Sequence, residues 1–388
     1  MELISQIPIA LWIAGVLALY MAWAIGANDV ANAMGTSVGS GALTVWGAIL
    51  VAAIFEFAGA FFAGGHVTDT VRKGMLDISL IGRDQLIYGM LGSLAAAGTL
   101  LVGATRFGLP VSTTHSIVGA IVGFGVVSIG PEVVNWGKIG QIVLSWLTSP
   151  LLAGVIAFGI FQFTRAKVLD TKDPVAQIRK LGPVFFFLVF FIIGLVTLFK
   201  GLKPLKLDLN LTQALIGSTL LGFVGSGLGI FFIRRVQLGP EDPKHRFSRV
   251  EKIFVVLQIL TACAIAFAHG SNDVANAIGP LAAVSGAISG AELGGKASVS
   301  PWMLAIGGIG IIFGLATWGY RVMETVGKRI TELTPSRGFA AQLAAATTIV
   351  VASRMGIPIS TTHTLVGAVL GVGLARGINA LDLRVVRK

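Results

Sequence analysis

Eleven apolar runs, each free or almost free of charge, follow one another along the chain at about 7–25, 43–65, 86–105, 109–129, 139–163, 181–199, 211–233, 253–269, 301–320, 339–353 and 357–375. A run of that length and character is what a bilayer core accepts. Inside lipid a backbone must satisfy its own hydrogen bonds, so these segments are helices, complete or interrupted, and the absence of a two-residue alternation argues against a barrel. The fold class expected is therefore an all-α integral membrane protein with about 10–12 embedded segments. Composition agrees: of 388 residues, 54% are hydrophobic and 12% charged, about half the charge content of a soluble enzyme. No Lys or Arg precedes Arg72, so the basic region of a secretory signal peptide is missing and 7–25 is expected to remain as a span.

The excess of 29 Lys+Arg over 18 Asp+Glu gives a net charge of +11, concentrated in the links between apolar runs. Two links, 164–180 and 234–252, are strongly basic and are expected to be cytoplasmic, which puts the N-terminus outside and makes 181–199 and 211–233 an out-and-back pair between them. The expected home is the cell (inner) membrane. Nucleic acid is not an expected partner, because the basic residues form no patch of the sort that tracks phosphates along a polymer. The single cysteine, Cys263, rules out an intrachain disulfide or a cysteine metal cluster.

Internal repetition organises the rest. Gly26-Ala-Asn-Asp-Val-Ala-Asn-Ala-Met-Gly35 recurs as Gly270-Ser-Asn-Asp-Val-Ala-Asn-Ala-Ile-Gly279, and Gly108-Leu-Pro-Val-Ser-Thr-Thr-His-Ser-Ile-Val-Gly119 recurs as Gly356-Ile-Pro-Ile-Ser-Thr-Thr-His-Thr-Leu-Val-Gly367. The offsets are 244 and 248 residues. The chain thus reads as repeat 1 over 1–163, a connecting unit of basic loops and a helical pair over 164–249, and repeat 2 over 250–388. Copy one starts at a terminus without positive charge and copy two just after the most basic loop, so the copies are expected to be inverted in topology, with broken helices, re-entrant hairpins and a site at their interface.

The first motif sets Asn28, Asp29 and Asn32, and again Asn272, Asp273 and Asn276, in apolar sequence between glycines. An intramembrane carboxylate is a functional candidate, and glycines that let the helix break would free carbonyls which, with carboxylate and amide oxygens, can coordinate a small hard cation. The bland alternative is that these polar groups only tie helices together. In the second motif Pro110 and Pro358 precede Ser112, Thr113, Thr114 and Ser360, Thr361, Thr362. A helix start carries unpaired N–H groups and a positive dipole end, and three hydroxyls add donors, a combination suited to a tetrahedral oxyanion held between two such termini. Helix capping is the competing reading. His115 and His363 stay unassigned, as proton-linked groups, substrate contacts or packing residues. Arg106 and Arg354 fit snorkelling at a hairpin tip better than anion attraction, and Glu56, with no carboxylate counterpart in copy two, is either a cation-linked gate or a paired packing residue.

These doubled motifs resemble the inorganic phosphate transporter (PiT) family, phosphate permeases coupled to sodium or protons, over almost the whole chain. The resemblance implies inward movement of inorganic phosphate, with Asn28, Asp29, Asn32, Asn272, Asp273 and Asn276 at cation positions (Na⁺ favoured over H⁺, no transition metal) and the two Ser-Thr-Thr clusters on the anion. Sodium-coupled animal members are similar around Glu56, but where they carry a second glutamate this chain has Gln342, which enters with Glu56 as a gating or coupling candidate. The expectation is a symporter with alternating access, without covalent chemistry or cofactor, in contact with the lipid bilayer and possible as a homo-oligomer. The competing classes are a sulfate permease of the same fold, an anion channel without cation coupling and, least favoured, a membrane enzyme such as a lipid phosphatase, for which the candidate residues lack metal-site spacing.

Overall fold

A computed structural model describes residues 8–65, 68, 74–109, 111–198, 209–236, 248–290, 299–320, 322–323 and 333–377, with the side chains of Ala31, Asn32 and Val196 left aside. Among the described residues the eleven expected segments are eleven helices: α1 (Ile9–Gly39), α2 (Val45–Ala63), α3 (Arg83–Arg106), α4 (Thr113–Ser128), α5 (Trp136–Thr164), α6 (Pro174–Val196), α7 (Leu211–Arg235), α8 (Ser248–Ile288), α9 (Pro301–Gly314), α10 (Pro335–Arg354) and α11 (Thr361–Arg376). The only β pairing among them is an isolated bridge between Leu76 and Val134. Eight helical stretches are long and apolar enough to cross a bilayer. Their outward faces carry large apolar side chains such as Trp46, Leu151, Val155 and Phe223, as lipid requires. The protein is a multi-pass membrane protein.

Helix starts are set by local chemistry. Thr44, Asn135 and Asp173 each accept a backbone N–H from three residues on, and Asn210 with Gln213 forms a capping box. The chain reverses between α3 and α4, and between α10 and α11, through glycines in the left-handed region, Gly108 at φ +66 and Gly356 at φ +68. Each glycine N–H bonds back to the helix just ended, to Thr105 O at 3.0 Å and Ser353 O at 3.2 Å. The repeat is thus visible in the backbone as two hairpins with the same tip.

One expectation is corrected. The Asn/Asp motifs do not interrupt their helices, since α1 and α8 run unbroken through Gly26–Gly35 and Gly270–Gly279. Their leading glycines serve close approach. A Cβ on Gly26 would collide with Ile311 O, and one on Gly270 would collide with Glu56 O. The facing glycines repeat the arrangement, with Gly314 against Trp23 O and Gly59 against Phe267 O. The first helix of each copy therefore packs on the second helix of the other, α1 on α9 and α8 on α2, so the copies interleave. Copy one's last helix, α5, also lies on copy two's hairpin, where Gly367 and Gly371 meet Pro150 O and Gly154 O. The connecting pair α6 and α7 interlocks glycines with Phe186, Phe187 and Phe190.

Candidate functional site

The interleaving brings both aspartates and both hairpin tips to one buried place. The N-terminal hydroxyl of each triplet caps its own helix: Ser112 Oγ accepts from His115 N and Ser360 Oγ from His363 N, both at 3.2 Å. Capping thus holds for the serines, although a capping hydroxyl keeps its hydrogen to donate. The threonines point elsewhere. Thr113 Oγ1 donates to Asp29 Oδ2 at 2.7 Å, Thr361 Oγ1 reaches the same oxygen at 3.4 Å, and Thr362 Oγ1 donates to Asp29 Oδ1. Thr361 Oγ1 also lies 2.9 Å from Asp273 Oδ2, and Thr114 Oγ1 donates across the copies to Ile359 O at 3.0 Å. All six triplet residues are buried, as are Asp29 and Asp273.

The asparagines divide into two jobs. Asn28 binds the tip of its own hairpin, Nδ2 donating to Thr105 Oγ1 and Leu109 O at 3.0 Å while Oδ1 accepts from Val111 N at 3.1 Å. Asn272 repeats this in part, donating to Ile359 O at 3.3 Å and accepting from Ser353 Oγ at 3.4 Å, and its Nδ2 also steadies Asp273 Oδ1 at 2.7 Å. Asn276 faces the centre: Nδ2 donates to Thr113 Oγ1 at 3.3 Å and Thr114 Oγ1 at 3.2 Å, while its buried Oδ1 has no hydrogen-bond partner. An orphaned buried acceptor beside two carboxylates suits a cation. The side chain of Asn32, the equivalent in copy one, lies outside the described residues.

One central residue escaped the sequence reading. His269 immediately precedes the second motif, at the place Ile25 holds in copy one. Its Nε2 lies 2.8 Å from Asp273 Oδ2 and 3.9 Å from Asp29 Oδ1, and its Nδ1 lies 3.0 Å from Glu56 Oε2. Glu56 is accordingly a paired residue, and its Oε1 is buried without a hydrogen-bond partner. Carrying the motif comparison one residue towards the N-terminus would have exposed an ionisable group in an apolar run. Asp29, His269 and Asp273 each bring a ligand atom to within 4.8 Å of the others, a donor set able to hold a small cation.

His115 and His363 meet with ring centroids 4.7 Å apart, and His115 lies 3.8 Å from the ring of Trp146 on α5, the geometry of packing. Gln342 is not brought to the aspartates. It sits farther along α1, among Ala33, Thr36, Ser37 and Thr261.

A buried pair of carboxylates ringed by hydroxyls, between two hairpin tips in a helical bundle, is the kind of polar centre that membrane transport proteins for small ions keep inside the bilayer. Residues 25–388 match the phosphate transporter family. The chain is 49% identical to the "Putative phosphate permease" of Haemophilus influenzae, with all of this chain and 93% of that one covered. It is 45% identical to the "Inorganic phosphate transporter 2-1, chloroplastic" of Arabidopsis thaliana, over 95% of this chain and 66% of that one. The solved structure of "The sodium-dependent phosphate transporter" superposes with a TM-score of 0.91 at 42% identity, covering 98% of this chain and 93% of that one. The chain belongs to the phosphate transporter family, a family of transporters and not of enzymes.

Proposed function

We propose that this protein is a secondary active symporter that imports inorganic phosphate on a cation gradient, with Na⁺ as the driving ion in preference to H⁺. The observation that carries the reading is the convergence of Thr113, Thr361 and Thr362 on the Asp29 carboxylate, with Thr361 shared by Asp273. The same hydroxyls that suit an oxyanion are engaged by carboxylates, so carboxylate and phosphate compete for one set of donors. A cation that draws Asp29 and Asp273 towards itself releases the threonines and supplies the positive charge a phosphate dianion needs. Each ion then improves the site for the other, and by linkage the effect is reciprocal. The Asn276 orphan oxygen and the sodium dependence of the structurally similar transporter support Na⁺.

In this reading the two copies are inverted repeats whose hairpins re-enter from opposite sides, and alternating access is a rocking of one hairpin set against the other. The continuous α1 and α8 cannot serve as hinges, which moves bending to the glycine tips at Gly108 and Gly356. The N-terminus lies outside the cell (inner) membrane and the links 164–180 and 234–252 face the cytoplasm. The test is uptake by purified protein in liposomes with Na⁺, H⁺ and phosphate gradients imposed one at a time and sulfate as competitor. Phosphate accumulation against its gradient, driven by Na⁺ and unaffected by sulfate, is expected. Accumulation under a proton gradient alone reassigns the driving ion, and flux that only follows the phosphate gradient makes the protein a channel.

A further inference from the structure

The two basic links are the part of the sequence pattern that the buried centre leaves unused, and in the fold much of their charge gathers at one end of the α6–α7 pair. Gly182 of α6 meets the side chain of Ile233 on α7, and farther along Gly222 of α7 meets Phe187, so the two helices run antiparallel. That register sets Arg179 and Lys180 within about one turn of the level of Arg234 and Arg235. All of these side chains are exposed, as are Lys167 and Lys172, which precede α6.

The chain supplies them no counter-charge. Asp170 is taken by Arg165 at 3.0 Å, and Asp173 caps α6 by accepting from Ala176 N at 3.0 Å. Arg179, Lys180, Arg234 and Arg235 form no ion pair among the described residues, and Arg235 lies over the ring of Phe231, its Cζ 4.1 Å from the centroid. Topology asks for cations somewhere in a link that stays on one side of the membrane. It does not ask for them on two packed helix ends, where like charges repel. An anion set among them removes that cost.

The surroundings select the anion. α7 packs chiefly on α6, and beside the cations the pair exposes Val184, Leu188, Leu228 and Phe232 to lipid. A cationic rim over an open apolar wall matches headgroup phosphate over acyl chains, whereas a soluble anion would meet the rim and leave the wall uncovered.

We propose that the end of the α6–α7 pair carrying Arg179, Lys180, Arg234 and Arg235 is a docking site for an anionic phospholipid, with its phosphate among these cations and its acyl chains along the apolar wall. The inference is independent of which ion drives transport, and its test reads lipid binding rather than uptake.

The full chain is purified in neutral detergent and stripped of lipid, and its unfolding temperature is titrated with phosphatidylglycerol or phosphatidylcholine. The proteins compared are wild type, Arg179→Gln/Lys180→Gln, Arg234→Gln/Arg235→Gln and, as an exposed cation elsewhere, Arg83→Gln. In wild type, phosphatidylglycerol is expected to half-saturate at a concentration about tenfold or more below phosphatidylcholine. Each double variant is expected to lose most of that gap, and Arg83→Gln to keep it. Equal midpoints for the two lipids in wild type overturn the site, and so does a gap that survives in either double variant or disappears in Arg83→Gln. Should a double variant fail to fold, the other decides, together with native mass spectrometry of wild type in an equal mixture of the two lipids: preferential retention of phosphatidylglycerol is expected, and equal retention overturns the proposal.

Discussion

At the hairpin tips the two copies are alike; one turn before the aspartates they are not. Gly108 and Gly356, Thr105 and Ser353, Asn28 and Asn272, and the two Ser-Thr-Thr triplets occupy matching places, and Ser112 and Ser360 cap their helices alike, although Asn272 and Thr362 repeat the bonds of Asn28 and Thr114 only in part. Ile25 and Ile311 in one set of contacts are replaced by His269 and Glu56 in the other, and those two differences touch each other. Duplication thus accounts for the cluster of hydroxyls at the centre, to which each copy brings one Ser-Thr-Thr triplet. The charge around the aspartates comes from where the halves diverge.

The comparison can be broken in three places. The largest effect is expected at its centre, where Asp29→Asn removes the charge on which three threonines converge. Sodium-driven phosphate uptake in liposomes should fall about 100-fold or more, the scale of removing one partner from a buried charged network. Retained uptake would mean that the hydroxyls alone hold the anion.

A second, smaller effect is expected at the divergent pair. His269→Ile alone strips both Glu56 and Asp273 of a buried partner and should cost about 3–5 kcal/mol of stability, whereas Glu56→Ile leaves His269 its contact with Asp273 and should cost less. The double replacement restores the apolar residue types of the equivalent positions, Ile25 and Ile311, and should recover the share of that loss owed to the stranded Glu56, but not the share owed to Asp273, while uptake stays low. A thermal-unfolding double-mutant cycle on purified protein measures this coupling. Additive losses would show that the pair is not one unit.

The smallest expected effect separates the two hairpins' outer faces. A Cβ on Gly367 would collide with Pro150 O on α5, whereas nothing lies within 4 Å of one on its counterpart Gly119. Gly367→Ala should cost about 1–3 kcal/mol from overpacking and Gly119→Ala close to none, read as a difference in unfolding temperature.

How far residues alone could lead follows from the kind of signal each feature leaves. Apolar runs announce helices because lipid admits little else, and the doubled motifs announce a shared site because repetition is a pattern along the chain. The continuity of α1 and α8 was not legible, since a glycine that permits a kink and a glycine that admits a neighbouring backbone look the same in sequence. The task of Asn28 was equally hidden: a carboxamide next to a carboxylate suggests a ligand, yet here it grips Leu109 O and Val111 N. His269 stayed outside the repeat because it differs between copies, and Gln342 separated from the aspartates because nothing in the chain records its distance along α1.

The crossed packing of α1 on α9 and of α8 on α2 bears on how the chain is made. Gly59 leaves the ribosome long before residue 267, whose carbonyl it receives. The groove along α2 must wait in lipid, lined by its own glycines, until the latter half has been threaded through the bilayer. The crossed contacts of this transporter therefore close only once the latter half has arrived, and a nascent chain released before α8 would leave the matching faces of α1 and α2 both uncovered.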